Sequence, residues 1–204
     1  MIQLCFAFFV IMKKLLVLMA LVCAVLNVSA QEDSKWSWKA GIGLSGAAGS
    51  DSDGFKSTFS YKVGVGYEYA ISESFSIEPA AMLNNKGIKV EGVSGNINRF
   101  FLEVPVLAAY KLNLNDNYKL IVNAGPYVAY GILGSDIEWG DGEAKTNIFD
   151  TCDRFEAGLE AGARVVFGEM SVGIDFSRAF TKALKEGNGK VYSQAFGVTF
   201  GYKF

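Results

Sequence analysis

Along most of this chain apolar side chains recur at every second position for about ten residues, a turn interrupts them, and the pattern starts again. The closing stretch QAFGVTFGYKF shows it: Phe196, Val198, Phe200, Tyr202 and Phe204 share one face, and Gly197, Thr199, Gly201 and Lys203 the other. A period of two belongs to β-strands, because successive side chains point to opposite sides of a sheet. Eight such runs can be read. They are WSWKAGIGL from Trp36, FSYKVGVGYEY from Phe59, a run from Phe75 to Asn84, FFLEVPVLAAYKL from Phe100, a run from Tyr118 to Leu133, one from Phe155 to Val165, one from Met170 to Phe176, and the ending. Each is long enough to cross a hydrocarbon layer when tilted, which takes about 9–11 residues.

The connections alternate. ISES, NLND and FGE are short; the other four, including AAGSDSDGFK and GSDIEWGDGEAKTNIFDTCD, are long and polar. This is the pattern of an all-β, eight-stranded antiparallel up-and-down transmembrane barrel. An even strand count puts both ends on the short-turn side, which such a barrel turns to the periplasm.

Alternation alone also fits a secreted sandwich or lipocalin-like barrel with its apolar face inside. Three features favour the inverted arrangement. The polar face is full of glycine (Gly41, Gly43, Gly64, Gly66, Gly125, Gly158, Gly162, Gly173, Gly197, Gly201), which weakens a solvent-facing strand but fits a narrow lumen. Trp36, Trp38, Tyr67, Tyr69, Tyr110, Tyr118, Tyr202 and Phe204 fall at the short-turn ends, like a girdle at a membrane interface. The polar face also carries both signs of charge: Lys62, Glu68, Glu103, Lys111, Glu156, Glu160, Arg164, Asp175 and Lys203 are expected to neutralise one another inside. Glu156 and Glu160 lie four residues apart, about 13 Å along a strand, too far to share a proton. With Arg164 and Asp175 they read as a salt-bridge ladder.

The start reads as an export signal. Lys13 and Lys14 precede an apolar core from Leu15 to Leu26, and Val28 and Ala30 give a small-residue cleavage pattern with Gln31 as the first mature residue. Three segments follow: residues 1–11 as a mis-assigned extension before the true start at Met12 (or a genuine longer leader), 12–30 as the signal peptide, and 31–204 as the barrel domain. Cys23 lacks the small preceding residue of a lipoprotein signal. Cleavage leaves Cys152 alone, with no partner for an internal disulfide. It also leaves 17 of the 19 basic residues and all 21 acidic ones, a mildly acidic chain with no basic block for nucleic acid.

Several stretches resemble the PorT-like outer-membrane β-barrel family: FFLEVPVLAAYKL with its Glu103-Val104-Pro105 core, NAGPYVAYGI, and FEAGLEAGARVVFGEMSVGIDFSRAF. The resemblance covers nearly the whole mature chain. It implies an outer-membrane location; the family's namesake is implicated in secretion, a role that relatives sharing only the barrel need not have, and the resemblance supplies no catalytic or ligand residues. Pro105 cannot donate a ladder bond, so a bulge is expected there. The terminal aromatics Phe200, Tyr202 and Phe204 resemble the assembly signal of bacterial outer-membrane barrels, which implies recognition by the barrel-assembly machinery.

No catalytic or cofactor constellation emerges. His is absent, removing the commonest general base. SDSDG at 50–54 begins like a calcium loop, but the twelfth position from Asp51 is Lys62 instead of Glu, so it reads as a turn. Asp136, Glu138, Asp141, Glu143, Asp150 and Asp153 beside Trp139 read as a solvated external loop. The chain is therefore expected to be a non-enzymatic outer-membrane barrel in contact with lipid, with loops for an envelope partner and no cofactor. A small channel and a secreted lipocalin-like binder are the alternatives.

Overall fold

The computed structural model describes residues 35–50, 55–90, 97–115, 117–139, 144–183 and 191–204. The export-signal residues, with Ala30 and Gln31, and Asp51–Gly54 lie outside the described residues. Eight long strands form the sheet: β1 (Trp36–Ala48), β2 (Thr58–Tyr67), β3 (Phe75–Asn85), β4 (Arg99–Asn113), β5 (Tyr118–Gly134), β6 (Phe155–Phe167), β7 (Met170–Lys182) and β8 (Tyr192–Lys203). Each pairs antiparallel with its neighbour in sequence. β1 pairs with both β2 and β8, so the sheet closes on itself. Closure removes both sheet edges, and every ladder finds a partner. The up-and-down barrel read from the alternation is what the chain forms.

The faces follow the parity of the sequence. Ile42, Leu44, Phe59, Ile174, Phe176 and Phe196 point out and are exposed, while Lys86 and Arg99 are 1 % and 2 % exposed. This is the reverse of a water-soluble domain, where Lys and Arg are seldom fully buried. A soluble barrel with an apolar interior is therefore set aside. At the short-turn end Trp36 meets Tyr67 edge-on with ring centroids 5.0 Å apart, and Trp38 stacks on Phe204 at 6.1 Å. Among the described residues no helix is long and apolar enough to cross a membrane; the strands supply the apolar surface.

The β6–β7 turn is only Gly168-Glu169, and Gly168 sits at φ +60°, a backbone that side chains other than glycine's adopt with strain. Opposite this tight end, the loop end is built up. Beyond β3 and β4 the chain still pairs, with Lys86 N–H donating to Arg99 O and Ile88 and Ile97 exchanging backbone bonds. The β5–β6 connection forms a small hairpin, Asp136–Trp139 against Ala144–Asn147, and then one helical turn, Ile148–Thr151, capped by the Asn147 side chain.

Pro105 does not produce a bulge. On the β3 side the pairing runs from Pro79↔Val106 to Met82↔Glu103, and on the β5 side from Pro105↔Tyr127 to Ala108↔Ala124, so pairs are skipped with no change of register. Proline removes a donor without inserting a residue, and the ladder re-forms in step. The register shifts instead at Phe100/Phe101, where β4 turns over the mouth of the barrel.

Candidate functional site: a charged lumen sealed at the loop end

The lumen holds three layers of charge. In the middle, Lys62 lies 2.7 Å from Asp175 and 3.6 Å from Glu160. Thr199 donates its hydroxyl to Asp175, Arg164 pairs with Glu78, and Lys39 approaches Glu78 at 3.7 Å. Three cations therefore meet three anions. Toward the turns, Lys111 pairs with Glu68 and Lys203 stands 3.6 Å from the same carboxylate.

The loop-end layer is the most buried. Lys86 lies 2.6 Å from both Glu103 and Glu156. Asn84 donates to Glu103 at 3.3 Å and the Tyr127 hydroxyl to Glu156 at 2.8 Å. The Lys86 ammonium sits 4.6 Å from the Tyr127 ring centroid, and the Arg99 guanidinium 5.5 Å from that of Phe101. Two cations and two anions thus share one dehydrated layer, in which Lys86 is paired with both carboxylates while the buried Nε of Arg99 has no hydrogen-bond partner.

An apolar cluster caps this layer: Ile88, Ile97, Phe101, Tyr127, Ala129, Ile148, Phe149 and Cys152. Phe149 enters from the β5–β6 connection, meets Phe101 edge-on at 6.0 Å, and lies under the Arg154 guanidinium at 4.6 Å. Its ring fits because Gly131 and Gly134 have no side chain; a Cβ on either would overlap Ile148 or Phe149. The connection is thus not wholly a solvated loop. Asp150 and Asp153 are exposed, but Ile148, Phe149 and Cys152 are buried in the mouth. The side chains of Asp136, Glu138, Asp141 and Glu143 lie outside what the structure describes.

Free space follows the same polarity. A cavity of about 340 Å³ opens at the turn end, lined by Lys35, Lys39, Glu68, Glu78, Lys111, Arg164 and Lys203 among others. A second, of about 60 Å³, lies beside Lys62 and Asp175, and a third, of about 20 Å³, beside Gly43 and Asn84. The space tapers away from the turns, to about 10 Å³ beside Arg99 and Cys152.

The family model for the outer membrane protein beta-barrel domain matches residues 15–204. The chain belongs to this family. No curated protein matches it. Among solved structures, the outer membrane enzyme PagL aligns at 11 % identity over 82 % of this chain and 99 % of that one, with a TM-score of 0.52. Neisserial surface protein A aligns at 12 % identity over 85 % and 100 %, with a TM-score of 0.51. At such identities the likeness is one of fold. The protein is an outer-membrane β-barrel.

In this outer-membrane barrel the residues singled out from sequence occupy different layers. Glu156, Glu160 and Arg164, at i, i+4 and i+8 on β6, do not pair with each other or form one ladder. They reach across the lumen to Lys86, Lys62 and Glu78 respectively. Lys62 joins Asp175, Glu68 joins Lys111, and Glu103 joins Lys86. Phe200, Tyr202 and Phe204 are exposed on the outer face of β8. Sequence reading missed Lys86, Arg99, Tyr127 and Phe149. Extending the β4 parity back from Glu103 through Phe101 would have found Arg99. Extending the β3 parity forward from Glu78 and Asn84 would likewise have found Lys86, although it sits in the turn-like NNKG.

Proposed function

We propose that the protein is a non-enzymatic outer-membrane barrel, closed to solute flow, that presents its long loops outward for an envelope or surface partner. The observation that carries this reading is the seal at the loop end, where the Lys86 layer and the Phe149 cluster fill the lumen. An eight-stranded barrel leaves little room beyond its side chains, and at the loop end that room is occupied. The short turns, the start of β1 and the end of β8 lie at one end and the long connections at the other, which supports termini in the periplasm. The exposed apolar belt suits lipid. Phe200, Tyr202 and Phe204, aromatic on its final strand, suit recognition by the barrel-assembly machinery, and the leader supports cleavage between Ala30 and Gln31.

Two observations support a non-catalytic role. The chain has no His, and Cys152 is 1 % exposed inside the apolar cluster, out of reach of a substrate. The PorT-like reading, and with it an accessory part in secretion, rests on the Glu103-Val104-Pro105 resemblance; here Glu103 is half of the Lys86 clamp and Pro105 a donor-free position in the wall.

The test is conductance of the purified, refolded barrel in planar bilayers. The expected record shows no discrete steps. Reproducible steps that vanish on heat denaturation would establish the channel reading and sink this one.

A further inference from the structure

The layers of the lumen differ in charge balance. At the loop end Lys86 pairs with Glu103 and Glu156, and Arg99 is buried in the same layer; in the middle Lys39, Lys62 and Arg164 face Glu78, Glu160 and Asp175. Both layers are neutral in their side chains. The turn-end vestibule is not. Its walls bring Lys35, Lys111, Lys119 and Lys203 against Glu68 and Glu169, and at its inner end it reaches Lys39, Arg164 and Glu78 of the middle layer. Glu68 already serves two ammonium groups, Lys111 in close contact and Lys203 at 3.6 Å, while Glu169 accepts the Tyr202 hydroxyl at 2.7 Å. Lys35 and Lys119 make no ion pair among the described residues.

This surplus coincides with a cavity of about 340 Å³, larger than the two further up the lumen and at the lower end of the range for small-ligand pockets. Low-dielectric walls focus the field of clustered charges into a cleft. Lys111 and Lys203 around the Glu68 carboxylate, with Lys35 and Lys119 at the rim, are arranged as a receptor for negative charge.

We propose that the turn-end vestibule binds a compact polyanion, a group carrying two or more phosphate or carboxylate charges. The inference is independent of whether the loop end is sealed to flow. Lys35 and Lys119 at the rim admit the ligand and hold its outer charge; Lys203 and Lys111 meet the inner one.

The test is calorimetric titration of the folded full-length barrel, in zwitterionic micelles at low ionic strength, with tripolyphosphate and with citrate. The expected result is saturable one-to-one binding that weakens with added salt. The double variant Lys35→Glu/Lys119→Glu should bind at least tenfold more weakly, and Lys35→Gln/Lys119→Gln should fall between it and the parent. The Gln pair keeps the test open should the Glu pair fail to fold, with the heat-dependent gel shift as the check on folding. Lys182→Glu, an exposed charge at the opposite end, should leave affinity unchanged. No saturable binding, or an equal loss in Lys182→Glu, would overturn the proposal. Repeating the titration in nanodiscs with phosphatidylglycerol separates the sources. Competition by the lipid assigns the vestibule to a headgroup; undiminished affinity assigns it to a soluble anion.

Discussion

Consider Lys86→Met. Lys86 is 1 % exposed and lies 2.6 Å from two carboxylates. Methionine keeps most of the side-chain volume, so the main loss is the charge. Glu103 and Glu156 then have no ion-pair partner among the described residues, and the layer, with Arg99 its one remaining cation, carries one uncompensated negative charge out of water. Breaking a buried pair by removing one partner costs about 3–5 kcal/mol. With a urea m-value of about 2 kcal/mol/M, the unfolding midpoint falls by about 2 M. Glu103→Gln alone unbalances the layer the other way and should also destabilise. The pair Lys86→Met/Glu103→Gln restores one cation, Arg99, against one anion, Glu156, and the oxygen of the new side-chain amide can still accept from Asn84. If charge parity governs this layer, the double variant is more stable than Lys86→Met. The assay is equilibrium urea unfolding of the refolded barrel in micelles, followed by tryptophan fluorescence and by the mobility of unboiled samples on gels. A double variant whose loss equals the sum of the two single losses would refute the reasoning, because it would mean that each contact counts alone.

Two further outcomes follow from the packing. Gly131→Ala places a methyl against the Phe149 ring and should cost about 1–3 kcal/mol through overpacking, and Phe149→Leu in the same chain should recover part of it; urea midpoints of the three variants decide this. Ile174→Arg, on the outer face and paired with Ala163 and Val198 well inside the strands, should cost about 2–4 kcal/mol in lipid, while Tyr118→Arg at the start of β5 should cost about 0–1 kcal/mol. Similar losses at the two positions, measured by unfolding from liposomes, would contradict the placement of the belt.

The wall of this barrel was legible because a period of two fixes both a strand and its faces. Once Glu103 points in, Leu102 and Val104 must point out, and the turn residues then fix the count. What parity cannot show is who meets whom across a lumen. The spacing of Glu156, Glu160 and Arg164 suggested a ladder on one strand, yet each side chain bonds to a residue from β2 or the β3 region, since neighbours on one strand are too far apart to touch. The seal was hidden for another reason. Phe149 lies in a connection whose composition reads as solvated, and only tertiary folding turns it inward; Lys86 continues the inward face of β3 past the point where NNKG reads as a turn. Tyr127 broke the expectation that inward positions are small; its ring is accommodated because its hydroxyl reaches Glu156. Pro105 shows the limit of a local rule. A missing donor predicts a missing bond, and a bulge needs an extra residue as well.

The cross-lumen bonds also bear on the order of assembly. Lys62 and Asp175 are 113 positions apart in the chain, Arg164 and Glu78 86, and Lys86 and Glu156 70. None can form until the hairpins that carry them have met. Hairpin formation is local and comes early, whereas contacts of this separation must await loop closure. The lumen charges therefore belong to the last step, when β1 finds β8. Interactions absent from the transition state leave the folding rate nearly unchanged and slow unfolding instead. The buried ions of this barrel act as a catch that sets after closure: they give little help in reaching the native state, and lengthen its lifetime once it is reached.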